Sequence, residues 1–494
     1  MKYRIIGLAA CLAVLLISVT APMLLSETSC PQRIWQHEEA TPAQACQREE
    51  TSGLCTYLPI VEIDTGGVEI PGKPRIGGDE FSDYILAANG EKTITAQMRV
   101  IGTDCSSYHH EGDAADVESA IRIRVRGNSS RYFDKPSYAI RLVTDEDENN
   151  PQSLMGMDVH HEWMLYGPWL DKTALRNYLF YNLSGEIMDY APNVRYCEVV
   201  LNHEYQGLYL LTETVTAGKN GARLRLNKTA KRNTFSGYLL RLDHLNKDSE
   251  DISSFTGYTM RNTSSSLEIM YPGHSNRDSE LEEEIRQDFS AFEKTLYSYD
   301  YDREEYGYAN WIDVDNFVDY FIINEVTLNT DAGLYSTYVY KGIDGLLRLC
   351  VWDFNNACDN YFEDQMGFRF FFMPWHLWYW MMVKDDAFTD RIISRYRELR
   401  QNVLSEENLD RRIDEIYTFL EPALARNDAR WGHVSTQASA LLNPPERNLT
   451  SRDAAIGQLK GFLFNRCEWL DEHIDTLRQY SATSRVKQFN EVND

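Results

Sequence analysis

The stretch Asn324-Glu-Val-Thr-Leu-Asn-Thr-Asp331-Ala-Gly-Leu-Tyr-Ser336-Thr-Tyr-Val-Tyr340, continued by Gly345-Leu-Leu-Arg-Leu-Cys-Val-Trp-Asp353-Phe-Asn-Asn-Ala357, decides how the rest of the chain is read. Asp353 stands just past an apolar strand, Leu346 to Trp352, whereas Asp331 sits on a loop after a helical stripe formed by Trp311, Val314, Phe317, Val318, Phe321 and Ile322. A carboxylate at a strand end can hold a divalent cation while a second acid on the preceding loop orients an attacking hydroxyl. Phosphoryl transfer needs that division, because one group must neutralise charge while another positions the nucleophile. A lone Asp at a turn serves equally well as a cap, so the flanking sequence carries the decision.

Upstream, apolar alternation marks strands at Leu58–Asp64, Lys92–Ile101, Ile121–Arg126 and Ser137–Leu142, and further short strands follow at Trp163–Tyr166, Tyr196–Leu201 and Leu208–Leu211. Asp171 is placed to cap a helix carrying Leu175, Leu179, Leu183 and Ile187, which stops before Pro192. Beyond about residue 273 helices dominate. Their stripes are Ile392, Tyr396, Leu399 and Val403, then Leu409, Ile413, Ile416 and Leu420, and last Leu459, Leu463, Leu470, Ile474 and Leu477. Strands first and helices later predict an α+β architecture with a cleft between the parts.

Several blocks resemble the CotH (spore coat protein H) kinase family in the same order along the chain, over about residues 56 to 480. They are Arg122-Ile-Arg-Val-Arg-Gly-Asn-Ser-Ser130 with Lys135-Pro-Ser-Tyr-Ala-Ile-Arg-Leu142, then Trp163-Met-Leu-Tyr-Gly-Pro-Trp-Leu-Asp171-Lys-Thr-Ala-Leu-Arg176-Asn177. Val199-Val-Leu-Asn-His-Glu-Tyr-Gln-Gly207-Leu-Tyr-Leu-Leu-Thr-Glu213, the Asp331 and Asp353 segment itself, and Phe388-Thr-Asp-Arg-Ile-Ile-Ser-Arg-Tyr-Arg-Glu-Leu399 complete the set. Long blocks in register are far more specific than one short motif.

The resemblance implies an atypical protein-kinase-like fold of two lobes, a β-rich N-lobe at 56–243 and a mainly helical C-lobe at 244–480. It implies ATP and Mg2+ as cofactors, and transfer of the γ-phosphoryl to Ser or Thr of a secreted or surface protein. Asp331 would be the base, Asp353 the metal ligand and Lys135 a phosphate clamp. The turn Gly127, Asn128 and Ser129 could cradle phosphate with backbone N–H groups, although a strand connection wants Gly and Asn in any case. Arg176 is a phosphate or structural contact and Glu186 the helix acid, while Glu213 ends the strand that resembles the inter-lobe hinge.

Asp331 and Ser336 have the D-x-x-x-x-N spacing of kinase catalytic loops, with Ser in place of the metal-binding Asn. Asn355 likewise replaces a second acid usual in the family, so the metal set Asp353, Ser336 and Asn355 has only one anionic member. A weak or inactive pseudokinase acting as a surface binding protein, and an AMP transferase on the same fold, are therefore the alternatives. A calcium loop through Asp353, Asn355 and Asp359 lacks the glycine and terminal Glu that an EF-hand needs.

The chain has 494 residues, with 75 acids against 49 bases and a formal charge of −26. Such a surface repels phosphate backbones, so no nucleic-acid partner is expected, and it favours a basic protein substrate, which the family resemblance implies is Ser/Thr-rich. Met1-Lys-Tyr-Arg4 ahead of an apolar run from Ile5 to Leu25 predicts export, with residues 1–28 a signal peptide or signal anchor. Pro22 would hinder cleavage at the Val19 and Ala21 pair, which favours an uncleaved membrane anchor over a secreted protein. Residues 29–55 read as a polar stalk and 481–494 as a polar tail. Cys30, Cys46 and Cys55 fall in the stalk, where pairing is open to them outside the cell, and no CxxC zinc pattern is present. The aromatic run Phe368 to Trp380 reads as packing between helices, with a cleft cap, a partner dock or a membrane contact as the other uses.

Overall fold

Ile121, Ile123 and Val125 alternate with Arg122, Arg124 and Arg126, and in the computed structural model this alternation becomes the wall of a barrel, apolar side in and arginines out. The structure describes residues 33–40, 46, 53–75, 84–218, 223–229, 231–245, 250–252, 265–360, 365–435 and 442–481. The apolar run Ile5–Leu25, most of the stalk and residues 482–494 lie outside them. Among the described residues no helix is long and apolar enough to cross a membrane. Met1–Ile34 and Trp35–Asp494 divide as separate units, and the barrel and its helices belong to the second.

Seven strands form the barrel: β1 (Ile60–Asp64), β2 (Ile94–Ile101), β3 (Val117–Arg126), β4 (Ser137–Val143), β5 (Glu162–Tyr166), β6 (Val194–Leu201) and β7 (Glu204–Glu213). They run β1-β2-β3-β4-β5-β7-β6 round a closed ring. An odd ring cannot be antiparallel throughout, and the exception is β1 beside β6, parallel with Ile60 opposite Glu198. Val61, Ile63, Ile121, Ile123, Leu142, Trp163 and Leu211 are among the side chains that fill the interior. The seven strands match the expected runs, but their closure replaces the open sheet of a kinase small lobe.

Gly207 sits where the β6–β7 register slips, with φ +99°. A Cβ there would lie 2.5 Å from Asn427 Oδ1, so glycine lets a helix lie against the barrel. That helix is α5 in the chain order α1 (Arg176–Ile187), α2 (Ser279–Leu296), α3 (Val314–Thr327), α4 (Asp386–Arg400), α5 (Glu406–Trp431) and α6 (Arg452–His473).

The α1 helix is buried on nearly every side, as a helix in the middle of a core must be. The Asp171 carboxylate takes the N–H groups of Thr173 (3.0 Å) and Arg176 (2.9 Å) and so starts it. A second sheet, all antiparallel, has the order β9-β8-β10-β11, with β8 Leu239–His244, β9 Ser265–Tyr271, β10 Thr337–Lys341 and β11 Leu347–Cys350. The lobe boundary expected between 243 and 244 therefore runs through β8, and this sheet takes strands from both sides of it.

Helices α3 and α6 are joined by a buried ion pair, Glu325 Oε1 to Arg466 Nη2 at 2.5 Å. Arg466 also donates to the Phe368 and Phe370 carbonyls, while Glu325 takes the N–H groups of Phe372 and Met373. Together they pin the aromatic run, and Phe371, Phe372, Trp378 and Tyr379 are buried, with Trp375 and Trp380 exposed. Within the expected stalk, Gln36–Glu39 form a short helix and Trp35 is fully buried, its Nε1 donating to Glu186 Oε1 at 2.6 Å. That piece is part of the folded body.

Candidate active site

Each of the two decisive acids is set by the element that precedes it. Asp313 caps the start of α3 by accepting from Asn316 N, and the helix ends at Leu328 in the left-handed region, φ +44°. Asp331 follows in a tight turn whose carbonyl accepts from Leu334 N (3.0 Å) and Tyr335 N (2.8 Å). Beyond β11, Asp353 has φ +57°, a conformation that Asp tolerates better than most residues.

Helix α1 holds this second turn from behind. Tyr181 Oη accepts from Asp353 N (2.9 Å), Asn177 Oδ1 accepts from Phe354 N (2.7 Å), and Asn177 Nδ2 donates to Asn355 Oδ1 (3.2 Å). Two amides tie the loops to each other: Asn356 Nδ2 donates to Asp331 Oδ1 and Asn329 Nδ2 to the Asp353 carbonyl, each at 3.1 Å.

Both acids open into one cavity of about 480 Å³. Ser336, Asn355 and Asn356 share its wall, as does Asp243 from the end of β8. Facing them are Arg124 and Arg126 from the outer face of β3 and the Gly127–Ser130 turn. Gly127 has φ +111°, and a Cβ there would lie 1.9 Å from Ser130 Oγ; only glycine makes this corner. The floor includes Tyr166, Trp169 and Leu170.

The cavity is polarised. Burial and then the neighbouring Asp353 charge push the Asp331 acid up to about 7, with Asp243 adding and the Asn356 hydrogen bond opposing. Burial also raises Asp353, against the Asn355 N–H and Arg126. On the other wall, burial and the charges of Arg126 and Arg131 bring Arg124 down to about 10. Arg131 Nε and Nη1 are buried with no hydrogen-bond partner among the described residues. Crowded carboxylates ask for a cation and crowded guanidiniums for an anion. The donors on the acidic side are carboxylate, hydroxyl and amide oxygens, the set that suits a hard divalent ion such as Mg2+.

The structure brings together Asp331, Ser336, Asp353, Asn355, Gly127, Asn128 and Ser129. It places four other expected residues elsewhere, which corrects Lys135, Glu186 and Glu213 and leaves Arg176 with the structural one of its two expected roles. Lys135 is buried against α5, where its Nζ donates to the Leu208 carbonyl (2.5 Å) and Asn427 Oδ1 (2.7 Å), and burial lowers its pKa. Arg176 is spent on Asp171 (2.5 Å), the Ala357 carbonyl (2.9 Å) and Gln458 (2.8 Å), bracing the loop after Asp353 from outside. Glu186 meets Trp35 and, at 3.6 Å, Arg412. Glu213 is buried at the end of β7 and accepts from Asn193 N (2.9 Å) and Asn193 Nδ2 (3.1 Å).

Sequence reading missed Arg124, Arg126, Asn177, Asn356 and Asp243. The period of two in Ile121 to Arg126 was the available signal for the arginines, since it sets both on one face just before the glycine turn. Nothing local marks Asp243, which reaches the cavity through the pairing of β8 with β10, Leu242 opposite Thr337.

Among curated proteins none matches the chain. The family model described as CotH kinase protein matches residues 123–470, a span that contains both acidic loops, the end of β3 with Arg124 and Arg126, and helices α1 and α3. The chain thus belongs to the CotH kinase family.

Proposed function

We propose that this protein is an ATP-dependent protein kinase that moves the γ-phosphoryl of ATP to a Ser or Thr hydroxyl of an exported or surface protein. The observation that carries the reading is the polarised cavity, two carboxylates from separate loops facing a wall of crowded guanidiniums. Asp331 accepts the proton of the acceptor hydroxyl and aims its oxygen, a role suited to an acid near the operating pH. Asp353 is the anionic ligand for Mg2+, with Ser336 and Asn355 as neutral oxygen donors. When bound, Mg2+ offsets phosphate charge. Arg124, Arg126 and the Gly127–Ser129 turn hold the phosphate tail, the part expected of Lys135. Asn177 and Tyr181 keep the Asp353 turn in place from within the core.

The acidic surface, formal charge −26, favours a basic acceptor, and the Met1–Leu25 segment supports display at the cell surface through a membrane anchor or release as a secreted protein. Ser336 and Asn355 in place of stronger ligands favour a second reading, a pseudokinase that binds nucleotide weakly and acts by binding a partner.

The test is transfer of label from γ-tagged ATP to the full chain and to a basic Ser-rich protein, with Mg2+ and with chelator, beside Asp353→Ala. Metal-dependent transfer that D353A abolishes is the expected result. Metal-dependent nucleotide binding without transfer supports the pseudokinase, and transfer from α-tagged ATP instead identifies an AMP transferase.

A further inference from the structure

Away from the cavity, a two-residue strand, Cys55–Thr56, pairs antiparallel with His109–His110, and the register sets Cys55 directly opposite His110. Cys46 arrives at the same point, its Sγ 3.2 Å from His110 Nε2. One ligand atom from each of Cys46, Cys55 and His110 lies within 4.8 Å of the others, and all three residues are half-buried. Around a tetrahedral ion with Zn–S of about 2.3 Å and Zn–N of about 2.0 Å, ligand atoms stand roughly 3.5 Å apart, so a small contraction completes the set.

The imidazole is already oriented for this task. Asp113 Oδ2 lies 3.3 Å from His110 Nδ1 and accepts the His110 backbone N–H at 2.9 Å. A carboxylate on Nδ1 fixes the tautomer that leaves the Nε2 lone pair facing the two sulfurs, the outer-shell arrangement found behind metal-bound histidines. Two thiolates and an imidazole are soft to borderline donors that select Zn2+ over Mg2+ or Ca2+.

We propose that Cys46, Cys55 and His110 bind one Zn2+ ion, with a water molecule as the fourth ligand and Asp113 as the positioning residue behind His110. Binding releases the two thiol protons and forms two Zn–S bonds and one Zn–N bond, with no change of oxidation state. The ion staples the segment holding Cys46 to the ladder just ahead of β1. It is a site separate from the cavity and independent of the reading given for it.

The test uses the full chain purified without chelator under thiol-protecting conditions. Elemental analysis is expected to find about one zinc per chain. Replacement by Co2+ is expected to give the visible bands of a tetrahedral site and a thiolate-to-cobalt charge-transfer band. Cys46→Ser and His110→Ala should each weaken zinc binding by at least about 100-fold, and Asp113→Asn by about 10- to 100-fold. The cobalt spectrum of the unaltered protein reports the thiolate ligands even if a variant fails to fold. Zinc-free protein with a Cys46–Cys55 disulfide in its non-reducing peptide map overturns the proposal. So does zinc that survives both C46S and H110A.

Discussion

Two arginine environments in this molecule invert each other. Arg466 is fully buried, yet its guanidinium is answered on every side by Glu325 or a carbonyl. Arg124 stands in the cavity wall, and the charges that weigh most on it are other arginines. The first environment fastens α3, α6 and the aromatic run together. The second is disfavoured by its like-charged neighbours, and under the proposed function an anion from outside would relieve it. A satisfied guanidinium belongs to the architecture, and a frustrated one belongs to a ligand.

The sharpest way to break that contrast is to remove one residue of each kind. Arg466→Ala strands the Glu325 carboxylate in the core and should cost about 3–5 kcal/mol, measured by urea denaturation; a loss under about 1 kcal/mol would remove Arg466 from the architectural class. Asp353→Asn should leave the urea midpoint nearly unchanged while lowering phosphoryl transfer by roughly 100-fold or more, read from initial rates at saturating metal. Arg126→Ala should weaken ATP binding by about 1.5–3 kcal/mol in a calorimetric titration, with stability equal or slightly raised. Lys135→Met tests the corrected assignment. It should cost about 1–3 kcal/mol of stability, since Asn427 Oδ1 and the Leu208 carbonyl lose a donor, and leave the KM for ATP unchanged.

The smallest expected effect is a pH trend. Asp331 holds its proton up to about 7 in the fold against about 3.9 in an unfolded chain. Its contribution to stability is full below the unfolded value and is lost as pH rises through the folded one. The metal-free protein should therefore lose melting temperature from about pH 5 to about pH 7.5, and the gain on adding Mg2+ should grow over the same range. A gain that does not change with pH would mean that Asp331 does not feel the ion.

Much of this was legible in the chain. Period-two alternation named β1 to β4, which leave one face partly open, and short apolar runs named β5 to β7, which are buried almost throughout, while helical stripes named α1 and α3 to α6. Asp331 and Asp353 were readable because strand ends and helix ends are local events. Closure of the barrel was not, since it rests on a parallel pairing between segments far apart in sequence. Lys135 shows the limit from the other direction. Its distance from Gly127 is fixed by the sequence, but its partners, the Leu208 carbonyl and Asn427, come from segments far away in the chain. Alternation put Arg124 and Arg126 on a common face without saying what that face looks upon. The Cys46, Cys55 and His110 cluster is invisible to spacing because strand register, and no short motif, assembles it.

The shut ring of strands restricts how this protein can breathe. An open sheet can splay or shear at its margin to admit a nucleotide, whereas a hoop whose strands are paired on both sides has no margin to lift. The cavity lies outside that hoop, against the outer face of β3, with two rims in its wall, the Gly127–Phe133 corner and the segments bearing Asp243 and Ser336. Cross-linking those two rims should trap whatever lies inside without touching a barrel strand.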